Sequence, residues 1–225
     1  MKNFAFIFVR GGSKRIKNKN LKKIKGKTLL EITINQAKKI NKINKIFVST
    51  DSKKIASFVS NLNVEIIRRP KYLAQDDSSE WYAWQHAIKQ VKKKYKFEKF
   101  ICLPVTSPLR KNNDVIKCIN KLSKKDEIVV TIQETNRNPW YNMVKINNKT
   151  YIEIVNKTSK KIINIRQKAP KVFDMTTVCY VAKPEYILSN KSIFSGNVKA
   201  VKIPKERALD IDTYFDLKIA RLLYK

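Results

Sequence analysis

The sequence predicts an α/β protein with a Rossmann-like, mostly parallel sheet and helices on both faces. Three observations support this prediction. The first apolar segment, Phe4–Val9, is continuous and is bounded by Gly11 and Gly12, a pattern typical of a strand buried on both faces. A capping-box pattern from Thr28 to Glu31 then opens a helix. Strand-like and helix-like segments alternate from there onward, which favours βαβ units.

The later elements keep to this alternation. The predicted strands are short apolar runs at Phe4–Val9, Lys45–Thr50, Val64–Arg69, Phe100–Val105, Glu127–Gln133, Val178–Ala182 and Val198–Ile203. The predicted helices carry apolar residues at helical spacing, at Leu30, Ile34 and Ala37; Ile55, Val59 and Leu62; Trp81, Trp84, Ile88 and Val91; Asp114–Leu122; and Phe215, Ile219 and Leu222. We interpret Trp81 and Trp84 as core residues and predict a turn at Pro184.

Residues 136–170 interrupt the alternation. Three short runs, Met143–Ile146, Tyr151–Val155 and Ile162–Ile165, are typical of antiparallel strands joined by polar turns. We therefore predict one domain over residues 1–225 that carries a small projecting subdomain at about 136–168.

The charge of the chain is its most unusual bulk property. The sequence holds 49 Lys+Arg against 18 Asp+Glu, a formal net charge of +31. Such an excess is typical of nucleic-acid-binding proteins. Forty of the basic residues are lysines and nine are arginines, however, whereas readers of phosphates and bases favour arginine. We therefore expect most of the charge to lie on a solvated surface, and we do not expect nucleic acid as the main partner.

Other features limit the functional classes further. The N-terminal apolar run is too short for a membrane span or a signal sequence, so we expect a cytoplasmic protein. Cys102, Cys118 and Cys179 form no CxxC pair, and we interpret them as reduced core residues rather than zinc ligands. His86 is the one histidine, and we interpret it as structural.

A basic, glycine-containing segment follows the first predicted strand. Gly11 and Gly12 allow backbone amides to approach an anion closely, and Arg10, Lys14 and Lys19 bring countercharge. This composition is suited to a triphosphate. It matches neither the GxGxxG fingerprint nor a Walker A motif, which would require glycine at the position of Leu21.

Two polar segments follow later strands of the same predicted sheet edge. Arg69 precedes the proline that ends its strand, and Ser78 and Ser79 stand at the start of a helix, where they are also candidates for capping residues. In the second segment, Thr106, Ser107 and Arg110 surround a proline and could grip a ligand. Ligands of open α/β sheets bind at this edge.

A pair of aspartates forms the fourth motif. Asp210 and Asp212 stand at i and i+2 of an extended segment, so their carboxylates face the same side and repel each other unless a cation lies between them. Mg²⁺ prefers one or two carboxylates together with phosphate oxygens. The spacing from Thr213 to Asp216 is that of a helix cap. Together, the four motifs predict a nucleoside triphosphate and Mg²⁺ at one sheet edge.

These motifs resemble, in order and over residues 4–222, the acylneuraminate cytidylyltransferases, which include the enzymes for sialic, legionaminic and pseudaminic acids. The residues that carry the resemblance are Arg10-Gly11-Gly12-Ser13-Lys14-Arg15, Lys19-Asn20-Leu21, Ser49-Thr50-Asp51, Arg69-Pro70 with Leu73-Ala74, Thr106-Ser107-Pro108-Leu109-Arg110, and Leu209-Asp210-Ile211-Asp212-Thr213 with Asp216. The family has a nucleotide-diphospho-sugar transferase fold with a dimerisation subdomain, and it joins CTP to a nine-carbon 2-keto sugar acid, releasing pyrophosphate.

The resemblance also implies roles for individual residues. Residues implied to be catalytic are Arg10, Lys14, Lys19, Asp210 and Asp212. Residues implied to bind the nucleotide are Arg10, Gly11, Gly12, Ser13, Lys14, Lys19, Asn20, Arg69, Ser78 and Ser79. Residues implied to bind the sugar are Thr106, Ser107, Asn142, Arg166 and Tyr180. Asp210 and Asp212 match the ligands of Mg²⁺, for which Mn²⁺ is an alternative, and the resemblance implies a homodimer.

Two departures from the family pattern concern the sugar side. Pro104 stands where the family commonly has glutamine, and Asn142 stands where sialic-acid enzymes often have lysine. These residues resemble the legionaminic-type branch more than the sialic-acid branch. Three alternatives remain at this point: a cytidylyltransferase for Kdo or amino-Kdo, another sugar nucleotidyltransferase, and a basic nucleic-acid-binding module.

Overall fold

A computed structural model describes residues 2–157 and 163–225. The strands are β1 Asn3–Phe8, β2 Lys23–Ile24, β3 Lys27–Thr28, β4 Lys45–Thr50, β5 Glu65–Arg68, β6 Lys99–Cys102, β7 Ile128–Glu134, β8 Val144–Ile146, β9 Ile152–Ile154, β10 Phe173–Ala182 and β11 Val198–Lys202. The α-helices are α1 Leu29–Lys38, α2 Lys53–Ser60, α3 Glu80–Lys92, α4 Asn112–Lys121, α5 Pro184–Ser189 and α6 Tyr214–Leu223.

Seven of these strands form one central sheet in the order β11-β7-β10-β6-β1-β4-β5. Its neighbours pair in parallel, except that β10 runs antiparallel to both β6 and β7. The prediction of a mostly parallel α/β sheet is therefore confirmed. The predicted βαβ alternation would make all the strands parallel, and this is wrong for β10, whose first half lies at the edge where the parallel strands end. This reversal brings Thr177 to the ligand side of the sheet.

The core lies on both faces of the sheet. Strand β1 sends alternate side chains to opposite faces, so that Ala5 and Ile7 join one apolar cluster while Phe4 and Phe6 join the other. The second cluster contains Trp81 and Trp84, which confirms their interpretation as core residues. The three cysteines are buried and free, as expected of reduced core thiols.

We expect Phe6→Ala to lower the free energy of unfolding by about 3–5 kcal/mol, because the ring is fully buried and its removal leaves a cavity. Its ring stacks with those of Phe47 and Phe100 at centroid distances of 5.3 Å and 4.7 Å. Urea unfolding measures the change. Phe194→Ala is the matched control, since that ring is 71% exposed. Equal losses in the two variants would contradict this description of the core.

Local sequence signals fix several element ends. Both predicted capping boxes are present, at Thr28–Glu31 and at Thr213–Asp216. Two features differ from the prediction. Strands β2 and β3 form a hairpin across Lys25 and Gly26, which both have positive φ, as in the turns that suit the twist of paired strands. Pro184 begins helix α5 rather than a turn, because a proline is readily accepted in the first helical turn.

The projecting segment contains a short two-stranded sheet. β8 pairs antiparallel with β9, and both expose apolar side chains, including Val144, Ile146 and Ile152. The predicted third strand at Ile162–Ile165 begins at a residue outside the described residues, and residues 163–165 form no strand. Within residues 2–157 and 163–225, no helix has the length and apolarity needed to cross a bilayer.

Candidate active site

A cavity of about 590 Å³ opens at the edge where the parallel strands end. The loops that follow β1, β5 and β6 contribute to its walls, together with the beginning of β10 and the loop before α6. Ten of the predicted site residues line it: Arg10, Ser13, Lys14, Lys19, Asn20, Arg69, Ser78, Thr106, Tyr180 and Asp212. The topology therefore brings together side chains that are up to two hundred positions apart in the sequence.

The loop after β1 forms the cationic wall of the cavity. Arg10 and Lys14 both pair with Asp76, at 2.8 Å and 2.5 Å, and Asp76 has its pKa lowered chiefly by the hydrogen bond from Lys14. The Gly11 amide donates to Asp51 at 3.0 Å. A Cβ atom at Gly11 would lie 3.1 Å from the Cβ of Ser52, so a side chain here would have to displace Ser52 by a few tenths of an ångström.

Gly12 differs from its neighbour. A Cβ added there would meet no atom within 4 Å, so the structure itself does not demand glycine at this position. The open space beside it is compatible with the predicted approach of an anion to the backbone.

Lys19 connects the cationic wall to the acidic one. Its Nζ donates to the carbonyl oxygen of Ile211 at 2.9 Å and to Oδ1 of Asp212 at 3.0 Å, and its side chain is only 17% exposed. Arg15 lies on the other oxygen of Asp212 at 3.5 Å. The neighbouring Asn20 donates to the carbonyl oxygen of Arg10 at 3.2 Å, which fixes the loop between the two cations.

The two predicted metal ligands have different environments. Asp212 faces the cavity with 48% of its side chain exposed. Asp210 is more deeply placed: desolvation raises the pKa of its carboxyl, the nearby Asp212 raises it further, and the hydroxyls of Thr106 and Thr177 partly offset both effects. Its Oδ1 atom is buried without a hydrogen-bond partner.

This donor set fits a hard divalent cation whose other ligands come from a substrate. Two carboxylates and one unpartnered carboxylate oxygen match the one or two protein carboxylates that Mg²⁺ takes beside phosphate oxygens. In the part of the chain that the structure describes, no three His, Cys, Asp or Glu side chains gather into a complete metal cage. These two aspartates are therefore the residues that could hold a divalent cation together with a phosphate ligand.

Asp216 holds the loop that carries these carboxylates. Its Oδ2 accepts from the amide of Asp212 at 3.1 Å and from both the amide and the hydroxyl of Thr213 at 2.7 Å. These bonds confirm the predicted cap at the start of α6 and also place the backbone of Asp212.

Arg69 is the most deeply placed cation of the cavity. Its side chain is 6% exposed, and burial lowers the pKa of the guanidinium. Asp51 is the counterion, at 3.8 Å, and the Nε and Nη2 atoms of Arg69 are buried without a hydrogen-bond partner. Buried donors are normally satisfied, so a ligand group is the natural partner of these two atoms.

The segment after β6 corrects one prediction. Arg110 does not face a ligand: it is buried beneath the cavity, where Nε donates to Ser107 and Nη2 contacts the carbonyl of Pro104, and burial lowers its pKa to about 10. Ser107 is also fully buried, and its hydroxyl is bonded to that of Thr177 at 2.7 Å. Only Thr106 of this motif lines the cavity.

Gly11, Gly12 and Asp210 adjoin the cavity but do not line it, and Ser79, Asn142 and Arg166 lie elsewhere. Ser79 caps α3 by accepting from Trp81, which leaves Ser78 as the serine of the pair that faces the cavity. Asn142 and Arg166 belong to the projecting segment, and Arg166 lines a separate groove there. Tyr180 lies in the cavity wall as predicted, and burial raises the pKa of its hydroxyl.

Three residues near the cavity were not predicted from the sequence. Glu80 begins α3, where an acidic residue is an ordinary helix-start residue. Thr177 reaches the site only because β10 is antiparallel. The ion pairs of Asp76 with two cations depend on the fold of the preceding loop. None of the three has a spacing signal that would identify it.

A doubly covered α/β sheet whose ligand edge combines a cationic glycine loop with paired aspartates defines a nucleotidyltransferase without a P-loop. The family model for cytidylyltransferases matches residues 4–210. The chain therefore belongs to the cytidylyltransferase family and is an enzyme of the nucleotidyltransferase class.

Curated relatives and a solved structure agree with this assignment. The chain is 33% identical over 221 residues to the CMP-N,N'-diacetyllegionaminic acid synthase of Campylobacter jejuni, covering 96% of this chain and 92% of that protein. It is 30% identical to the post-translational flagellin modification protein B of Campylobacter coli, covering 97% and 93%. The CMP:2-keto-3-deoxy-manno-octonic acid synthetase, solved with CTP, has the same fold: TM-score 0.74, 15% identity, and coverage of 99% and 98%.

Proposed function

We propose that this cytidylyltransferase transfers CMP from CTP to a nonulosonic acid of the legionaminic or sialic type, releasing pyrophosphate, and does so in the cytoplasm. The observation that carries the proposal is that the cationic loop after β1 and Asp212 line one cavity and are joined through Lys19, with the partly buried Asp210 beside Asp212. The names of the 30–33% identical relatives favour a nonulosonic acid as the acceptor.

The proposed chemistry depends on positioning and charge. Arg10, Lys14 and Lys19 hold the triphosphate and balance the charge of the leaving pyrophosphate, while Arg69 donates its two unpartnered N–H groups to the nucleoside side. Asp210 and Asp212 would hold Mg²⁺, with Mn²⁺ as an alternative; the ion, when bound, neutralises phosphate charge and favours the deprotonated anomeric hydroxyl of the sugar. The anomeric oxygen attacks the α-phosphorus on the side opposite the pyrophosphate, whose bond to the α-phosphorus breaks as the new bond forms.

A pyrophosphate-release assay tests the proposal. We expect pyrophosphate release with CTP, Mg²⁺ and a nonulosonic acid. Release with UTP should be at least about tenfold lower, because uracil has a carbonyl acceptor where cytosine has an amino donor. The acceptor panel includes legionaminic, pseudaminic and sialic acids, with Kdo as the alternative sugar acid. Release only with Kdo or with a sugar phosphate would replace the proposed acceptor, and silence with all sugars would overturn the function.

The same preparation tests the nucleic-acid alternative. A gel shift of duplex and single-stranded DNA that disappears near physiological salt is expected for a cytidylyltransferase with a basic surface. Tight binding that persists at that salt would favour the nucleic-acid-binding alternative.

We further propose that the chain acts as a homodimer in which the projecting segment completes the partner's sugar site. The exposed apolar side chains of β8 and β9 support this proposal, because an apolar surface of this kind is commonly covered by a second chain. The predicted sugar ligands Asn142 and Arg166 lie in this segment and outside the cavity of their own chain. In this arrangement Arg166 pairs with the sugar carboxylate of the neighbouring active site.

Mixing two inactive variants gives a direct test of this arrangement. Arg166→Ala and Asp212→Ala are each expected to be nearly inactive alone. After random reassociation, half the dimers are heterodimers with one intact site of two, so about a quarter of the unsubstituted activity is expected. Absence of recovery, despite exchange shown by differently tagged chains, would contradict a shared site.

A further inference from the structure

Glu80 is a carboxylate in the cavity wall to which the proposed mechanism gives no role. It is the first residue of α3, and the residue is exposed toward the cavity. Protein atoms nevertheless surround the carboxyl closely enough that desolvation raises its pKa, an effect that the Trp84 indole and the Arg69 guanidinium partly offset. In the part of the chain that the structure describes, Glu80 has no ion pair within 4.0 Å.

The surroundings of Glu80 hold several polar atoms without partners. The Nε and Nη2 atoms of Arg69 and Oδ1 of Asp210 are buried without a hydrogen-bond partner, whereas the Trp84 indole N–H interacts with Glu80 itself. Arg69, Trp84 and Asp210 are all electrostatic neighbours of Glu80. Unsatisfied buried polar atoms are rare in folded proteins, so this corner of the cavity is suited to polar ligands. The proposed function gives the Arg69 groups to the nucleoside and Asp210 to the metal, which leaves Glu80 without a ligand group.

The position of this corner indicates which ligand group reaches it. Glu80 and Tyr180 line the same cavity, and Trp84, one helical turn after Glu80, packs against the Tyr180 ring at a centroid distance of 5.3 Å. Asp210 is an electrostatic neighbour of Glu80. The attacking hydroxyl must lie beside the α-phosphate, and hence beside the proposed metal ligand Asp210. Glu80 therefore lies between Arg69, on the proposed nucleoside side, and the predicted sugar ligand Tyr180, where the incoming sugar would meet the nucleotide.

A carboxylate is an unexpected group in a pocket for two anionic substrates. It repels phosphates and a sugar carboxylate, and it can only accept hydrogen bonds when ionised. A neutral part of the sugar that presents N–H or O–H groups satisfies it, through charge-assisted bonds. The other wall residues at this corner, Phe8 and Tyr180, bring aromatic surface that suits the carbon skeleton of a sugar.

We propose that Glu80 is a specificity-determining residue that accepts a hydrogen bond from one N–H or O–H donor on the acceptor sugar. The class of acceptor is thus a sugar acid with a donor substituent remote from its carboxylate. This inference rests on the proposed function, since it takes the acceptor to be a sugar acid.

The test is a thermodynamic cycle in which one change is made in the enzyme, at Glu80, and the other in the sugar, at one donor group. Unsubstituted enzyme, Glu80→Gln and Glu80→Ala are assayed for CMP-sugar formation with an acceptor and with a set of its analogues, each lacking one N–H or O–H donor. For one analogue, we expect kcat/KM of the unsubstituted enzyme to fall about 10- to 100-fold, whereas Glu80→Ala treats it and the parent sugar alike within about threefold. The KM for CTP stays unchanged in both variants.

Controls separate the possible outcomes. Asp77→Asn removes an equal charge on the same loop from a residue that lines a neighbouring groove, and it should behave as the unsubstituted enzyme. Thermal melting confirms that the Glu80 variants fold. Equal losses with every analogue, or a raised KM for CTP, would overturn the role of Glu80 alone. No product from the unsubstituted enzyme with any sugar acid would overturn the proposed function, and the inference with it.

Discussion

Replacing Asp212 by alanine is expected to lower turnover by about 10²- to 10⁴-fold, because the metal–phosphate interaction that it supports contributes several kcal/mol in the transition state. CTP affinity should change by less than about threefold, since the cations of the opposite wall remain in place. Pyrophosphate release at saturating substrates measures the first quantity. Equilibrium binding of CTP in the presence of Mg²⁺ measures the second.

The geometry makes Asp212 the more informative of the two aspartates. Its carboxylate faces the cavity, whereas that of Asp210 is partly buried, so truncating Asp210 would also disturb the packing around it. Asp212→Asn keeps the shape and removes the charge. Glu206→Ala, at an exposed carboxylate in the same C-terminal segment, is the matched control. Unchanged pyrophosphate release from Asp212→Ala would refute the metal assignment.

The sequence predicts the architecture well where local patterns determine it. The two capping boxes, the buried first strand and the i, i+2 aspartates depend on neighbouring residues only, and the structure has the caps and the strand as predicted. The metal role of the aspartates stays a prediction. The direction of β10 could not be read in this way, because an apolar strand has the same pattern whichever way it enters a sheet.

Arg110 and Glu80 show a second limit of sequence interpretation. Arginine after a strand is equally compatible with a ligand contact and with a structural role, and only the burial of Arg110 and its bonds to the carbonyls of Ser107 and Pro104 show that its role is structural. Glu80 is the opposite case: its position predicts an ordinary helix-start residue, but in the folded chain it lines the same cavity as Tyr180 of the antiparallel β10. In both cases tertiary packing decides what the residue type leaves open.

The large positive charge contributes to the site through a few cations only. Within the cavity, Asp76 pairs with both Arg10 and Lys14, and Asp212 pairs with both Arg15 and Lys19, so each carboxylate offsets the charge of only one of its two cations. A bound triphosphate therefore has to compete with these carboxylates for the same cations, and its affinity depends on that competition. The remaining lysines raise the general potential, which favours encounter with anions but carries no specificity.

Lys19→Met is expected to lower kcat/KM by about 10²- to 10³-fold, because a preorganised donor to the developing phosphate charge is lost. The substitution also frees Asp212, to which Lys19 donates at 3.0 Å. Lys17→Met is the matched control, since Lys17 lies in the same loop but is exposed and outside the cavity. Steady-state kinetics with CTP varied at a fixed sugar concentration measure the effect.

The contact between Lys19 and Asp212 also predicts how their substitutions combine. Residues joined by one ion pair are not independent, so the loss in Lys19→Met/Asp212→Asn should fall short of the sum of the single losses by about 0.5–3 kcal/mol. The double substitution removes both charges of the pair, and it therefore leaves no uncompensated carboxylate or ammonium in a half-buried position. Strict additivity would mean that the two walls of the cavity bind their ligands independently, and it would contradict the role of Lys19 as the link between them.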